Sequence, residues 1–258
     1  MMAHDMSKRR LLLLHSFLLT IILALWQATT HRGIIPFYLL PSPSAVLRRL
    51  VVDADLLLAH SGATVATIIG GFVLGTAAAA GLALCLQGNR AARHLVYPYV
   101  IALKSLPIVL IIPFVNLWIG TGFSSRVVIV ALTSFFPTLV TTVRGLLHVD
   151  QDLVDVLRVR GATSAFVLFK VRVPSALPHF FAGAKVAVVL AVIGALVAEM
   201  MGGSRGLGFL ALISTYRLDT DVLLIISIVS AIIGYCLFRG LGYIERKVAP
   251  WNWATLEL

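Results

Sequence analysis

Lys104, Lys185 and Glu199 are ionisable side chains set inside long apolar runs, Lys104 within residues 97–120 and the other two within 182–201. A charged group inside a bilayer costs about 2.5–3.5 kcal/mol on insertion scales, so such residues turn toward protein or water and are functional candidates by default. The chemistry open to them is charge placement: lining a solute path, or hydrogen bonding across a helix interface. Lys104 and Lys185 stand near run ends, where a long stem reaches the membrane surface, and Lys185 at the start of its run fits such an interfacial role. For Glu199 both readings stand, since a carboxyl facing lipid would have no partner.

A second constellation lies between spans, at residues 148–178. Leu153, Val154 and Leu157 recur at helical spacing, and Asp150, Asp152 and Asp155 load the N-terminal turn with negative charge, which suits the helix dipole. Gly161 reads as the C-terminal cap of this helix. Thr163 or Ser164 then caps a second short helix bearing Phe166, Phe169 and Lys170, stopped by Pro174 and again by Pro178. The expected product is a helix-turn-helix at the membrane surface, with apolar residues that need a partner. A loop of this length in so economical a chain is usually functional.

Other chemistries are excluded by what their mechanisms require. No Gly-x-x-x-x-Gly-Lys-Ser/Thr phosphate loop occurs, so this chain is not itself an ATPase. Gly202-Gly203-Ser204-Arg205-Gly206 matches the Gly-x-Ser-x-Gly hydrolase elbow, but that elbow needs a strand before it and a helix after it in an α/β sheet. Here it follows an apolar span. Cys85 and Cys236 lie inside apolar runs without a second Cys or His at ligand spacing, which predicts buried small hydrophobes and no metal site. No catalytic residue and no cofactor are expected in this chain.

The elements that must position these residues are membrane spans. Of 258 residues 59% are hydrophobic and only 12% charged, with a mean hydropathy of +0.98; a soluble domain carries about 25% charge. Six runs approach the roughly 20 residues a bilayer demands, at about 11–30, 61–87, 97–120, 127–143, 182–201 and 222–238. The first follows Lys8, Arg9 and Arg10 like a signal peptide but lacks a small-x-small cleavage site, so it reads as a retained span. The net charge of +10 is topology rather than nucleic-acid binding: no basic patch is interleaved with aromatics on a soluble element. With the N-terminus inside, thirteen of the twenty-one Lys and Arg fall on the cytoplasmic side, while Arg32, Arg48, Arg49, Arg126, Arg205 and Arg217 fall outside. The split predicts both termini inside. Ser44, after the Pro-restricted Leu40-Pro41-Ser42-Pro43, is expected to cap a short outer helix carrying Val46, Leu47 and Leu50. Gly71, Gly75, Ala79 and Ala83, and the stripe from Ala184 to Ala195 leading to Glu199, place small residues on one face, as close helix packing in lipid requires.

Asp155-Val156-Leu157, Gly161-Ala162 and Val173-Pro174-x-Ala176-Leu177-Pro178 together resemble the signature loop of membrane-spanning permease subunits of bacterial ABC importers, Glu-Ala-Ala, three residues, Gly, nine residues, an apolar residue and Leu-Pro. Leu40-Pro41-Ser42-Pro43, Lys104-x-Leu106-Pro107 to Pro113, Phe135-Phe136-Pro137 and Ala198-Glu199 with Gly206-Leu207-Gly208 extend the likeness from about residue 36 to Trp251. They are similar to the nitrate, sulfonate and taurine branch, which includes pyrimidine and riboflavin permeases. Phe135-Phe136-Pro137 and Gly183-x-Lys185-Val186-Ala187 are closer to the latter two. Asp155 stands where Glu is usual, Val156 and Leu157 replace two alanines, and Val173 replaces a common Leu.

The resemblance implies an all-α integral membrane protein of the inner membrane, a single permease domain of six transmembrane helices with the type I importer fold. Its loop 148–178 would form the coupling helix, with Asp155, Gly161, Ala162, Phe166, Pro174 and Pro178 docking on a cytoplasmic ATPase. The implied partners are an ATPase dimer that binds the ATP and Mg, a second permease copy, an extracytoplasmic substrate-binding protein and the lipid bilayer. The alternative from another class is a homodimeric, ion-gradient-driven secondary transporter or channel; its usual signs, inverted halves or helices broken at matching positions, are limited to a single clearly broken span.

Overall fold

Long apolar runs in a bilayer leave the backbone no partner but itself, and helices follow. The computed structural model describes residues 2–88, 95, 98–100, 102 and 105–251, and among them there is helix and no strand. The helices are α1 (Met2–His31), α2 (Pro43–Val52), α3 (Ala54–Gln87), α4 (Ile108–Ile119), α5 (Phe123–Leu147), α6 (Gln151–Val159), α7 (Ser164–Val167), α8 (Val173–Gly202), α9 (Leu207–Arg217) and α10 (Thr220–Val248), with a π-wound turn, Leu168–Arg172, joining α7 to α8. Among the described residues four helices are long and apolar enough to cross a membrane: α3, α5, the continuous Ser164–Gly202 and α10. Phe17–His31 and α4 are shorter apolar helices in the expected first and third runs.

The described residues fall into two compact units, one within Met1–Leu58 and Ala211–Ile228, the other within Ala59–Leu210 and Val229–Leu258. In the first, Trp26 Nε1 donates to Pro41 O at 3.1 Å, and Gln27 bonds both the hydroxyl and the amide of Ser44. These contacts tie the Pro-restricted segment to α1. The cap of α2 is Ser42 rather than Ser44: its hydroxyl accepts from Ala45 N at 3.3 Å, with Pro43 already in the first turn. Proline at the first helical position needs no N–H and carries a helix-ready φ, which moves the start two residues upstream.

The second unit packs α5 against α8 and α3. Gly71 and Gly75 sit directly on Val130 and on the Ala131 carbonyl, and Ala79 and Ala83 are fully buried. Ala184, Ala187, Ala191 and Ala195 are buried likewise, and Gly183 and Gly194 let Thr141 and Thr133 of α5 approach. Small faces thus do what the sequence stripes predict. The cysteines correct another expectation: Cys85 and Cys236 are both exposed. In a spanning helix lipid satisfies an apolar side chain as well as a protein core does, so an apolar run does not imply burial in protein.

Pro174 and Pro178 do not stop the helix. The Val173 amide bonds Leu168 O, five residues back, and this wider winding carries the chain past Pro174, which falls in the first turn of α8. Pro178 lies inside α8. The second short helix of the loop is therefore the foot of a single continuous helix, Ser164–Gly202.

Candidate functional site

At one end of α8 the chain turns through Gly203–Gly206 and back into α9. Glu199, fully buried in the last turn of α8, anchors that reversal. Its Oε2 accepts from Thr64 Oγ1 and from Gly208 N, both at 2.9 Å. Thr64 Oγ1 in turn accepts from Leu207 N at 2.7 Å, so one hydroxyl and one carboxylate satisfy two amides at the start of α9. The Nδ1 of His60, one turn earlier on α3, lies 3.1 Å from Gly206 N and 2.9 Å from Gly206 O, and its ring stacks on Phe209 at 6.1 Å. Arg126 closes the other side of the turn, donating through Nη1 to Arg205 O at 2.7 Å and through Nε to Gly122 O at 3.0 Å. Gly206 has φ +117° and is seated on the Glu199 carboxyl. Glu199 thus links α8 to α3 and α9 by hydrogen bonds.

Midway along α8, Lys185 Nζ is 2.5 Å from Glu245 Oε2, and 5.9 Å from the Phe238 ring centroid. Glu245 is almost fully buried. The sequence marked Lys185 but not Glu245, which reads as a solvated helix end between Arg239, Arg246 and Lys247. Lys185→Met removes the ammonium facing an almost fully buried carboxylate, and a cost of about 3 kcal/mol is expected. The purified variant should melt earlier than wild type, and Lys185→Met with Glu245→Leu should recover most of the loss. Equal melting of Lys185→Met and wild type would show that the pair contributes nothing.

The loop between α5 and α8 is built from local signals. Asp150 caps α6 by accepting from Asp152 N at 2.9 Å. Gly161, at φ +85°, ends it: Gly161 N donates to Arg158 O at 2.9 Å and Ala162 N to Leu157 O at 3.0 Å. These two bonds form a Schellman motif. Thr163 caps α7 through Phe166 N at 3.2 Å. Val154 is fully buried beneath α6, whereas Leu153, Val156, Val159, Phe166 and Phe169 are exposed, Val159 by 89%. Asp155, midway along α6, and Gly161 are exposed and Ala162 half-buried in the turn that follows; Pro174 and Pro178 are half-buried higher on the helix. Lys104 lies outside the described residues.

A third feature is an apolar cleft of about 690 Å³ between α4, α5 and α8, walled by Phe114, Trp118, Phe136, Pro137 and Ile193, with Thr133 as a polar group. Sequence reading singled out Phe136 and Pro137 only as part of a family pattern. The groups it missed, Thr64, His60, Arg126 and Glu245, are joined to their partners by tertiary contacts that no local spacing encodes.

Among the described residues the chain is helical, with four helices long and apolar enough to cross a membrane and a capped helix-turn-helix between two of them, the architecture of a multi-pass membrane protein. The chain belongs to the family of binding-protein-dependent transport system inner membrane components, whose model matches residues 62–250. It is 32% identical over 236 residues to the riboflavin transport system permease protein RibX of Chloroflexus aurantiacus, covering 91% of this chain and 88% of that one. To the formylaminopyrimidine transport permease protein ThiX of Halalkalibacterium halodurans it is 31% identical over 232 residues, covering 90% and 92%. In structure it resembles a chain from the inward-facing MetNI methionine ABC transporter, with a TM-score of 0.65 at 21% identity over 76% of this chain and 97% of that one. The fold is thus that of the type I ABC importer permeases, and the sequence falls in the sulfonate, pyrimidine and riboflavin branch.

Proposed function

We propose that this chain is the permease subunit of an ATP-driven, binding-protein-dependent importer, forming the translocation path and docking through residues 148–178 on a cytoplasmic ATPase dimer. The observation that carries the reading is the exposed apolar face of the capped helix-turn-helix, Leu153, Val156, Val159 and Phe166, on a loop that ends in a membrane-crossing helix. Asp155, Gly161, Ala162 and Phe166 are its docking residues, with Pro174 and Pro178 shaping the foot of the helix behind them. ATP and Mg belong to the ATPase, and this chain carries no catalysis of its own. It works as a single permease domain of six spans, paired with a second copy, with both termini cytoplasmic and a binding protein on the outer side.

The substrate class we infer is a small heteroaromatic solute. Relatives named for riboflavin and formylaminopyrimidine transport support this, as does the aromatic wall of Phe114, Trp118 and Phe136. The test is ATP hydrolysis by the reconstituted permease and ATPase with the binding protein present. Stimulation by the protein loaded with a flavin or pyrimidine, and not by the empty one, is expected; solute flux driven by an ion gradient without nucleotide would overturn the importer reading.

The topology has its own check. In a chain lacking Cys85 and Cys236, removed so that only the introduced thiol can label, single cysteines at Ser42 and Ser204 should label from outside and one at Ser164 only from inside. Outside labelling at position 164 would sink the arrangement.

A further inference from the structure

A second cleft, of about 680 Å³, opens where α3 and α5 end. Gln87 is the last residue of α3, Leu146 and Leu147 the last of α5, and Gln151, Arg158, Ser164 and Arg172 complete the wall. Two of the lining side chains are guanidiniums and none is a carboxylate. Arg172 spends one N–H on Gln87 Oε1, at 2.6 Å. Arg158 touches Asp155 only at 4.0 Å, in an exposed pair that contributes little. Among the described residues most of the donors of both guanidiniums are therefore uncommitted, and planar guanidiniums favour phosphate oxygens. The cleft also has an apolar side, Leu146, Leu147, Val167 and Leu168. It stands where two apolar helices long enough to span a membrane give way to polar sequence.

We propose that this cleft binds the phosphate of an anionic phospholipid, with Arg172 and Arg158 on the phosphate and Leu147 and Leu168 against the start of an acyl chain. Basic pockets between helix ends select headgroups in this way, at about 1 kcal/mol per cationic side chain. The site joins the ends of α3 and α5 to the foot of the Ser164–Gly202 helix, so its occupant would brace the base of the proposed docking loop. A free phosphate shares the chemistry of the headgroup but lacks the chain.

The experiment is native mass spectrometry of the full chain released from mild detergent, with phosphatidylglycerol, phosphatidylcholine or inorganic phosphate added. Retention of phosphatidylglycerol over phosphatidylcholine is expected, about fivefold weaker for Arg172→Gln and weaker again with Arg158→Gln added. Arg172→Lys should keep part of it, and Arg48→Gln on α2 all of it. Elution as a single symmetric peak in size exclusion identifies the folded variants to be compared. Equal retention of the two lipids would overturn the proposal, as would undiminished phosphatidylglycerol binding in the folded double variant. Displacement of the lipid by millimolar inorganic phosphate alone would assign the site to the free anion instead. If the double variant loses co-purified ATPase but keeps the lipid, these arginines serve protein docking and the lipid assignment falls.

Discussion

Gly206→Val is expected to remove most of the folded chain from the membrane. The residue sits at φ +117°, where a β-branched side chain is strained, and any Cβ there would fall on the Glu199 carboxyl. Backbone strain costs about 1–3 kcal/mol. Displacing the carboxylate also strands the amide of Gly208, for about 1–3 kcal/mol, while the Thr64 hydroxyl keeps His60 O as an acceptor. Together these are a large part of a typical 5–15 kcal/mol stability. Thr64→Val is the graded comparison: it deletes one hydroxyl that both donates to Glu199 and accepts from Leu207 N, and should lower the melting temperature without abolishing the fold. Abundance and size-exclusion profile of fluorescent fusions measure both. A monodisperse Gly206→Val chain at wild-type abundance would mean that the turn is not held by Glu199.

Gly161→Val should do the opposite, sparing the fold and impairing transport. Its surroundings are open, with nothing near a Cβ position, so the penalty is confined to φ +85° and the two Schellman bonds. Nothing in the packed spans depends on them. The proposed docking face does, because Val156 and Val159 precede the turn and Phe166 follows it. A reorientation costing about 1.4 kcal/mol of docking would weaken ATPase binding tenfold. Membrane abundance should stay near wild type while ATPase co-purification and uptake fall. Gly33→Val is the control, since Gly33 also has positive φ and open surroundings but lies far from the loop in sequence. Wild-type uptake by Gly161→Val would mean that this loop is not the coupling element.

The two glycines differ in how they were legible. Gly161 stands just past a periodic apolar stretch, so its role as a cap is written locally, as is that of Asp150. Gly206 depends on a carboxylate seven residues upstream and on a threonine 135 residues from that carboxylate, and only the folded chain brings them together. The same distinction explains Lys185 and Glu245. A lysine at the start of an apolar run reads as reaching the membrane surface and a glutamate among arginines at a helix end looks solvated, so neither announces the pairing that the fold makes. The prolines misled for a different reason: the helix-breaking rule assumes α winding, and the π turn at Leu168–Arg172 relaxes that assumption. Cys85 and Cys236 misled because hydropathy does not distinguish lipid from protein interior. Four of the six expected spans were legible as helices long and apolar enough to cross a membrane, since hydrophobic length is a property of the chain alone.

The unbroken winding from Ser164 to Gly202 has a mechanical meaning. Its 39 residues make a rod about 58 Å long at 1.5 Å per residue, with the loop at its foot and the Glu199 anchorage at its head. A push on Phe166 cannot be absorbed by a flexible connector, because none lies between the two ends. The most compliant joint on the rod is the five-residue π turn, where looser winding permits bending. Under the proposed docking, the tilt reaching the far end of the rod is then set by how stiff that short turn is: a rigid one transmits it in full, and a soft one dissipates it before it reaches the packed helices.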